Sequence, residues 1–420
     1  MANLDSATRD TATFDALRRS TAAAVCLECG KCSTLCPLAR FDPAPFGPFS
    51  ASRVAAIRDP EEATNGGRTA VERCLTCGLC EVRCPQGVRF VDFVGGLRRQ
   101  LPQSWPQRCS HGDVLRAASR LAAQAESTGG EAPVGRLDWL DDDLRTAEEG
   151  EVGLFVGCLP LYDVLFEQQL GIRPTDIARA AVRLLNRLGI EPVLATEERC
   201  CGHDLLWSGD EESFQALAEA NTTAFKARGV KHLLTPCAEC CRTWRLDYPQ
   251  AAPGYRPRVE HLAEFVAARL DDEDDLFTEN GGARLSYHDP CRLGRHLGVY
   301  DEPRRVMSAV PGVELGEMAA SGRDAICCGT SGFTFCDAAS RALQLERLES
   351  AQAAGAETMI TTCPKCWIHF TCAQAGERRR GAEPPAVRVE DFTVFVAHRL
   401  SPQAPAQPAT ATTEENPGGP

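Results

Sequence analysis

The stretch ERCCGHD, residues 198–204, places two adjacent cysteines before a glycine, and the pattern returns as ICCGTS at residues 326–331. In both copies a single cysteine precedes the pair and a Cys-x-x-Cys motif follows it. We name these the first and second five-cysteine sets: Cys158, Cys200, Cys201, Cys237 and Cys240, then Cys291, Cys327, Cys328, Cys363 and Cys366. Corresponding cysteines are 133, 127 and 126 residues apart, so the sequence contains an internal repeat the length of a small domain.

Short apolar segments alternate with amphipathic helical patterns in both copies of the repeat. The first copy reads VGLFVG, DIARAAVRLLNRLG, EPVLA, ESFQALAEANTTAFKARG and KHLLTP between residues 152 and 236. The second reads RLSYHD, PRRVMSAVPG, VELGEM, AASRALQLERLESAQAAG and TMITTCP between residues 284 and 364. Alternating strands and helices predict parallel sheets, and the repeat predicts two similar α/β units.

Eight further cysteines form two equal groups nearer the N-terminus, CLECGKCSTLCP at 26–37 and CLTCGLCEVRCP at 74–85. Three cysteines two residues apart, with a fourth before a proline, are typical of paired 4Fe-4S cubes in which the fourth cysteine ligates the other cube. We name the two predicted ligand groups the first and second four-cysteine sets: Cys26, Cys29, Cys32 and Cys84, then Cys74, Cys77, Cys80 and Cys36. Zinc or a disulfide scaffold is the alternative, but the duplicated spacing fits cubes better.

Composition limits the compartment and the class of partner. The chain has 420 residues, 22 cysteines and a net charge of -13, and this acidic balance makes nucleic acid an unsuitable partner. We find neither a secretory signal nor a run of 18 apolar residues that would predict a membrane-spanning helix. We therefore expect a cytoplasmic protein, in which clustered cysteines bind metal or perform redox chemistry.

These patterns divide the chain into five predicted segments. They are a ferredoxin-like domain with two 4Fe-4S clusters over 1–100, a linker over 101–150 with a helix near 114–125, α/β units over 151–280 and 281–400, and a disordered tail over 401–420. The fold class we predict is α+β multidomain, in which a mainly helical N-terminal domain precedes two repeated α/β units.

The layout C…CCG…CxxC, present twice with the phrases VGLFVGC and YHDPCRLGRHLG, resembles the cysteine-rich CCG domains of heterodisulfide reductase. The two N-terminal groups resemble that enzyme's small ferredoxin-like subunit. From about residue 20 to 400 the chain is similar to the fused form, which is also seen in subunits of anaerobic glycerol-3-phosphate dehydrogenase and glycolate oxidase. One departure is CCGTSGF at 327–333, where relatives commonly have a glycine run.

The resemblance implies particular cofactors and site residues. Each complete five-cysteine set can hold a noncubane 4Fe-4S cluster, so one or two such clusters are expected beside the two cubes. The paired cysteines are implied to be catalytic: Cys200, Cys201, Cys327 and Cys328. His203 beside the first pair is a candidate proton donor, although a structural hydrogen bond is an alternative role for it.

The function that the resemblance implies is electron relay through two cubes to noncubane clusters that reduce a disulfide. An alternative is electron transfer from a flavoprotein dehydrogenase to quinone, and a third is a zinc-bound scaffold. The chain has no GxGxxG motif, so we expect no flavin or NAD in it. A flavoprotein or other redox subunit would then be its partner, with a quinone-linked membrane subunit as an alternative that would place it at the inner membrane face.

Other polar residues near the motifs have two open interpretations. His288 and Lys365, like His203, could donate protons or serve structure. The group Arg292, Arg295 and His296 could bind an anionic substrate or offset the charge of a cluster. The cysteines outside the sets are expected to be buried and inert: Cys109, Cys241, Cys336 and Cys372.

Overall fold

The cysteines of the N-terminal segment lie between short helices. The computed structural model of the protein describes residues 11–41, 51–58, 68–100, 110–127, 135–273, 275–278, 282–329 and 336–402. The N-terminal helices are Thr11–Ser20, Lys31–Leu35, Ala51–Ala55, Arg68–Arg73 and Phe90–Gln100. Phe14, Val71 and Phe93 are buried in an apolar core that the cysteines border. The described part of this segment contains no strand, which confirms the prediction of a mainly helical domain.

The segment predicted as a linker carries a helix longer than expected, Ser110–Ser127. This helix packs along the helix Glu211–Ala227 of the first α/β unit. Arg120 Nε lies 2.5 Å from Oδ2 of Asp210, the residue directly before the helix Glu211–Ala227. The 101–150 segment is therefore partly docked on the first unit, and its bounds as a linker stay a prediction.

The first α/β unit is built on a parallel sheet of three strands, in the order β1 (Val152–Leu154), β2 (His232–Thr235) and β3 (Arg258–His261). The predicted strand EPVLA forms only isolated parallel bridges, which Val193 makes with Ala147 and Gly153. The helices of the unit are Leu159–Leu170, Thr175–Arg187, His203–Ser208, Glu211–Ala227, Ala238–Arg242, Tyr248–Ala251 and Leu262–Ala267.

The second unit repeats this arrangement with four parallel strands. In sheet order they are β5 (Val313–Leu315), β4 (Ala283–His288), β6 (Thr358–Thr361) and β7 (Arg388–Asp391). The helices are Gly294–Leu297, Asp301–Ala309, Ala338–Ala353, Pro364–Arg379 and Phe392–Ala397. All strand pairs in both sheets are parallel, which confirms the predicted α/β repeat.

The sequence analysis did not predict the last strand of either unit. β3 and its helix lie in RVEHLAEFVAARL at 258–270, and β7 and its helix lie in RVEDFTVFVAHRL at 388–400. Each strand has four residues and alternates exposed or half-buried with buried positions. The similarity of the two stretches was the available signal, because it extends the repeat beyond the cysteine motifs.

A shared apolar core joins the two units. Leu184 and Val266 of the first unit lie in one buried cluster with Tyr287 and Phe395 of the second. The helix Thr175–Arg187 packs against Phe392–Ala397. The packing fixes one sheet relative to the other, which holds the cysteine loops of both units in place.

None of the helices that the structure describes has the length and apolar character to cross a membrane. The predicted tail lies outside the described residues from 403 onward.

Candidate functional site

The first four-cysteine set lines a single cavity. Cys26 and Cys29 come from the loop that leads into the helix Lys31–Leu35, Cys32 lies in the first turn of that helix, and Cys84 comes from the second N-terminal group. Glu28 has a left-handed backbone with φ of 52°, and its N–H donates to Cys26 Sγ over 3.5 Å. The chain therefore turns the thiols of Cys26, Cys29 and Cys32 towards one space, with Cys84 completing the four.

The second four-cysteine set lines a neighbouring cavity in the same way. Cys36 of the first group joins Cys74, Cys77 and Cys80. Thr76 repeats the left-handed turn with φ of 46°, and its N–H donates to Cys74 Sγ over 3.3 Å. The structure therefore brings each predicted group of four together, but Cys80 also lines the first cavity, so the exchanged assignment of ligands stays a prediction.

These donor sets suit iron–sulfur clusters better than single zinc ions. Zinc binds thiolates at about 2.3 Å, which brings its ligand sulfurs to roughly 4 Å from one another. Within the part of the chain that the structure describes, the only three-residue group with ligand atoms within 4.8 Å of one another is His203, Asp204 and Glu239, not a group of thiols. Four wider-spaced thiols with an apolar lining fit a 4Fe-4S cube.

The five thiols of the first five-cysteine set form a chain of contacts. Cys158 Sγ lies 2.8 Å from Cys200 Sγ. Along the rest of the set each thiol shifts the pKa of its neighbour, in the order Cys200, Cys201, Cys240 and Cys237. Cys158 and Cys237 directly precede helices, so the ends of β1 and β2 aim both thiols at one pocket.

The second five-cysteine set is linked in the same order. The thiol contacts run from Cys291 to Cys327, Cys328, Cys366 and Cys363. His369, one turn after Cys366, places its Nδ1 atom 3.4 Å from Cys328 Sγ. Sequence reasoning missed His369, although its place three residues after a motif cysteine was a usable signal.

Two close approaches connect the sets to one another. Arg295 donates to the carbonyl oxygens of Cys77 and Ala325, which brings the loops of Cys77 and Cys327 together, and the N–H of Ala238, next to Cys237, donates to the carbonyl oxygen of Thr362, next to Cys363, over 3.3 Å. The Cys327 thiol, together with the nearby Arg295 guanidinium, lowers the pKa of Cys77 to about 6. The second five-cysteine set therefore lies between the second four-cysteine set and the first five-cysteine set.

Charged residues inside the two Cys-x-x-Cys motifs meet in a buried polar cluster. Lys365 Nζ lies 2.6 Å from Glu239 Oε2 and also contacts Asp204. Burial alone would lower the pKa of Lys365, but the two carboxylates outweigh it and hold that pKa well above its usual value. A charged ammonium group therefore fills the space between the carboxylates that a metal ion could otherwise use.

Both ring nitrogens of His203 are engaged within this cluster. Its Nδ1 atom lies 2.9 Å from Asp204 Oδ1, and its Nε2 atom accepts a 2.9 Å hydrogen bond from Arg292 Nε. Because Arg292 can only donate, the ring proton belongs on Nδ1. This geometry favours the structural role for His203, and its catalytic role stays a prediction.

The other residues singled out from sequence lie in several environments. His288 is buried, and Arg347 Nε lies 3.2 Å from its Nδ1 atom. Burial and then the Arg347 charge lower the pKa of His288 to about 3, so it is neutral.

Cys241 is buried as expected, but Cys336 is exposed and Cys372 half-buried, so the expectation of burial was wrong for Cys336. Cys109 lies outside the described residues.

Comparison with known proteins agrees with these groupings. The family model of a cysteine-rich domain matches residues 152–244 and again 285–371. The model of a 4Fe-4S dicluster domain matches residues 22–88. These domains indicate iron–sulfur clusters, and the matched ranges contain the corresponding cysteine sets.

Three relatives illustrate the range of proteins whose sequences are similar to this one. A subunit of the dihydromethanophenazine:CoB–CoM heterodisulfide reductase of Methanosarcina mazei is 34% identical over 238 residues, 55% of this chain and 56% of the relative. A subunit of the fumarate reductase (CoM/CoB) of Methanothermobacter marburgensis is 32% identical over 52% of this chain and 41% of its own length. EtfAB:quinone oxidoreductase of Syntrophomonas wolfei is 32% identical over 47% and 28%.

Each alignment covers less than two thirds of the relative's own length. The family models nevertheless match the dicluster domain and both cysteine-rich domains of this chain. The chain therefore contains a 4Fe-4S dicluster domain and two cysteine-rich CCG domains, and it is homologous to the heterodisulfide reductase subunit of Methanosarcina mazei.

Proposed function

We propose that the chain is the electron-transferring subunit of a redox complex, and that it accepts electrons from a partner protein and reduces a disulfide to two thiols. The observation that carries this proposal is that the cysteine loops follow one another in a line, since Arg295 bonds the loop of Cys77 to that of Cys327 and the Ala238 N–H bonds the loop of Cys237 to that of Cys363. Iron–sulfur clusters held by these thiols supply one-electron transfer. The line therefore offers a path between a partner and a sulfur substrate.

The ligands we propose follow the four sets. Each four-cysteine set holds a 4Fe-4S cube, and each five-cysteine set holds a noncubane 4Fe-4S cluster. The grouping of the thiols around two cavities supports the first assignment, and the unbroken five-thiol contacts support the second. Cys200, Cys201, Cys327 and Cys328 are the proposed catalytic residues.

The reaction we propose breaks one S–S bond and forms two S–H bonds. It consumes two electrons, which the partner protein loses, and two protons from solvent. Two adjacent sites that each handle single electrons suit this two-electron couple. The hydrogen bond between the loops of Cys237 and Cys363 supports such cooperation, because it joins the two five-cysteine sets directly.

A cavity of about 360 Å³ offers a way in for the substrate. Its lining includes His369, which contacts Cys328, and Phe166, whose helix begins after Cys158. Arg341 and Arg379 also line it. A substrate in this cavity would thus lie beside the second five-cysteine set and near the first.

The alternative function is electron transfer between a flavoprotein dehydrogenase and quinone. It is favoured by the similarity to a protein named EtfAB:quinone oxidoreductase. The same line of cysteine loops would serve it, but the sulfur substrate would be replaced by a quinone or by a partner that carries one.

One experiment separates the two functions. Protein isolated without oxygen is reduced with dithionite, freed of excess reductant, and mixed with 2-hydroxyethyl disulfide or with duroquinone. We expect the disulfide to reoxidise the protein and yield two thiols for each disulfide consumed. The Cys328→Ser variant should lose this reaction, and the control Lys231→Met, which changes an exposed side chain outside the sets and outside this cavity, should keep it. Reoxidation by duroquinone alone would favour the alternative.

A further inference from the structure

The dicluster domain and the second α/β unit meet where the loop of Cys77 lies against the loop of Cys327, because Arg295 hydrogen-bonds to both loops. Cys77 and Cys327 are far apart in sequence, so the surrounding structure must hold the two loops of this junction together. Two arginines of the stretch CRLGRH at 291–296 do so, and each follows Cys291 within four residues.

Arg295 bridges the two sides of the junction. Its Nε atom donates to the carbonyl oxygen of Cys77 over 2.6 Å. Its Nη1 atom donates to the carbonyl oxygen of Ala325 over 2.6 Å, two residues before Cys327. One half-buried guanidinium therefore sets the spacing of the two loops.

Arg292 holds the neighbouring residue of the same loop. It is fully buried, its Nη2 atom donates to Thr76 Oγ1 over 2.7 Å, and its Nη1 atom donates to the Thr76 carbonyl oxygen. Its guanidinium lies 4.5 Å from the centre of the Trp207 ring. The side chain thus gives the Cys74–Cys77 loop a second anchor beside that of Arg295.

The links described between the dicluster domain and the first α/β unit are of another kind. Arg98 donates to the carbonyl oxygen of Cys74 over 2.6 Å and to that of Trp207 over 2.9 Å. This connection ends at a residue of the helix His203–Ser208 rather than in a cysteine loop. The loop of the first five-cysteine set instead meets the loop of the second, where the Ala238 N–H next to Cys237 donates to the Thr362 carbonyl oxygen next to Cys363 over 3.3 Å.

We propose that the two five-cysteine sets act in series, the second before the first, and that Arg295 and Arg292 are the positioning residues of the Cys77–Cys327 junction. The inference rests on the proposed cluster assignment and adds to it an order and a means of alignment. Electron transfer slows steeply with distance, so widening this junction should slow every later step. The two positive charges also favour the reduced, more negative state of the cube held at Cys77.

The first test uses rapid freeze-quench electron paramagnetic resonance (EPR) of the cluster-loaded protein mixed with dithionite. Signals of the two five-cysteine sets are assigned beforehand from Cys328→Ser and Cys201→Ser. We expect the signal of the second set to appear before that of the first, and Cys328→Ser to stop the first set from being reduced. Simultaneous reduction, or normal reduction of the first set in Cys328→Ser, would overturn the series order.

The second test concerns the arginines. In Arg295→Gln the two cubes should be reduced at the normal rate, whereas the cluster of the second five-cysteine set should be reduced at least about tenfold more slowly. Arg295→Lys should restore part of that rate. The midpoint potential of the second cube should fall while that of the first cube stays unchanged. The matched control is Arg83→Gln, which removes an exposed guanidinium 3.2 Å from Asp324 at the same interface. Equal behaviour of Arg295→Gln and the control would overturn the positioning role.

Iron and sulfide analysis of the same samples distinguishes a failure of the cluster assignment from a failure of the series order. A wild-type protein that lacks iron and sulfide overturns the cluster assignment together with this inference. A fully loaded protein with the wrong order of reduction overturns the inference alone.

Discussion

Lys365 Nζ lies 2.6 Å from Glu239 Oε2, and these two residues occupy the same position in the two Cys-x-x-Cys motifs. The repeat therefore carries opposite charges at equivalent points, and the fold brings them into contact between the two five-cysteine sets. Asp204 joins them, so one buried ammonium neutralises two carboxylates. This ion cluster ties the two units together where their cysteine loops meet.

Lys365→Met should strongly destabilise the protein. It leaves two buried carboxylates without their cation, which costs about 3–5 kcal/mol of the free energy of unfolding. The control Lys231→Met breaks an exposed pair with Glu151 and should change the stability little, because solvent screens that pair. Thermal unfolding of both variants measures the difference. Equal, small shifts in Tm for Lys365→Met and Lys231→Met would contradict a stabilising role of Lys365. The double variant Glu239→Gln with Lys365→Met should recover part of the stability that Lys365→Met loses.

Asp391 predicts a fall in stability as pH rises. Burial raises its pKa from 3.8 to about 8. The folded state therefore holds a proton that the unfolded state has lost between about pH 4 and 8, so stability falls by up to about 1.4 kcal/mol per pH unit and levels above pH 8. Asp391→Asn keeps a helix-capping side chain and should remove this slope. Tm measured from pH 6.5 to 8 in both proteins tests this, and parallel curves would refute it.

His261 begins the corresponding helix in the first unit and should show the opposite slope. Burial lowers its pKa from 6.5 to about 4. The unfolded state then binds the extra proton, so stability falls as pH drops from 6.5 towards 4 and is constant above 6.5. His261→Asn should flatten the Tm curve below pH 6.5 without changing it above, whereas a change only above pH 6.5 would count against this assignment.

Gly209 lies where the first α/β unit meets the helix Phe90–Gln100. Its φ is 91°, and a Cβ atom there would lie 2.6 Å from the carbonyl oxygen of Arg98. Gly209→Ala should therefore destabilise the protein more than the roughly 1–2 kcal/mol that a left-handed backbone alone costs. Gly171→Ala is the matched control, since Gly171 has φ of 68° and nothing within 4 Å of the added Cβ. Equal losses of Tm in the two variants would show that the close approach has no effect.

The exchanged fourth ligands give a further prediction. Cys84→Ser should alter the EPR signal of the cube that Cys26, Cys29 and Cys32 hold, although Cys84 lies in the other group of the sequence. Cys36→Ser should alter the other cube. If each variant instead changed the cube of its own sequence group, the exchanged assignment would be wrong.

The spacing of the cysteines predicted the repeat, and the alternation of apolar strands with amphipathic helices predicted the parallel sheets, because both patterns are local and recur. The assignment of each thiol to a cluster stays a prediction. The strands β3 and β7 were missed, since four residues carry little periodicity. The contacts of Arg295 with Cys77 and of Lys365 with Glu239 could not be read from sequence. They join residues more than a hundred positions apart, and the packing of the two units decides them.

The central claim is that the four cysteine sets hold four iron–sulfur clusters, and the most direct measurement is the metal and sulfide content of protein isolated without oxygen, combined with Mössbauer spectroscopy. Four 4Fe-4S clusters predict about sixteen iron atoms and a matching amount of acid-labile sulfide per chain. The Mössbauer spectrum should contain two cubes together with iron sites of a different kind. Stoichiometric zinc without sulfide would contradict the account.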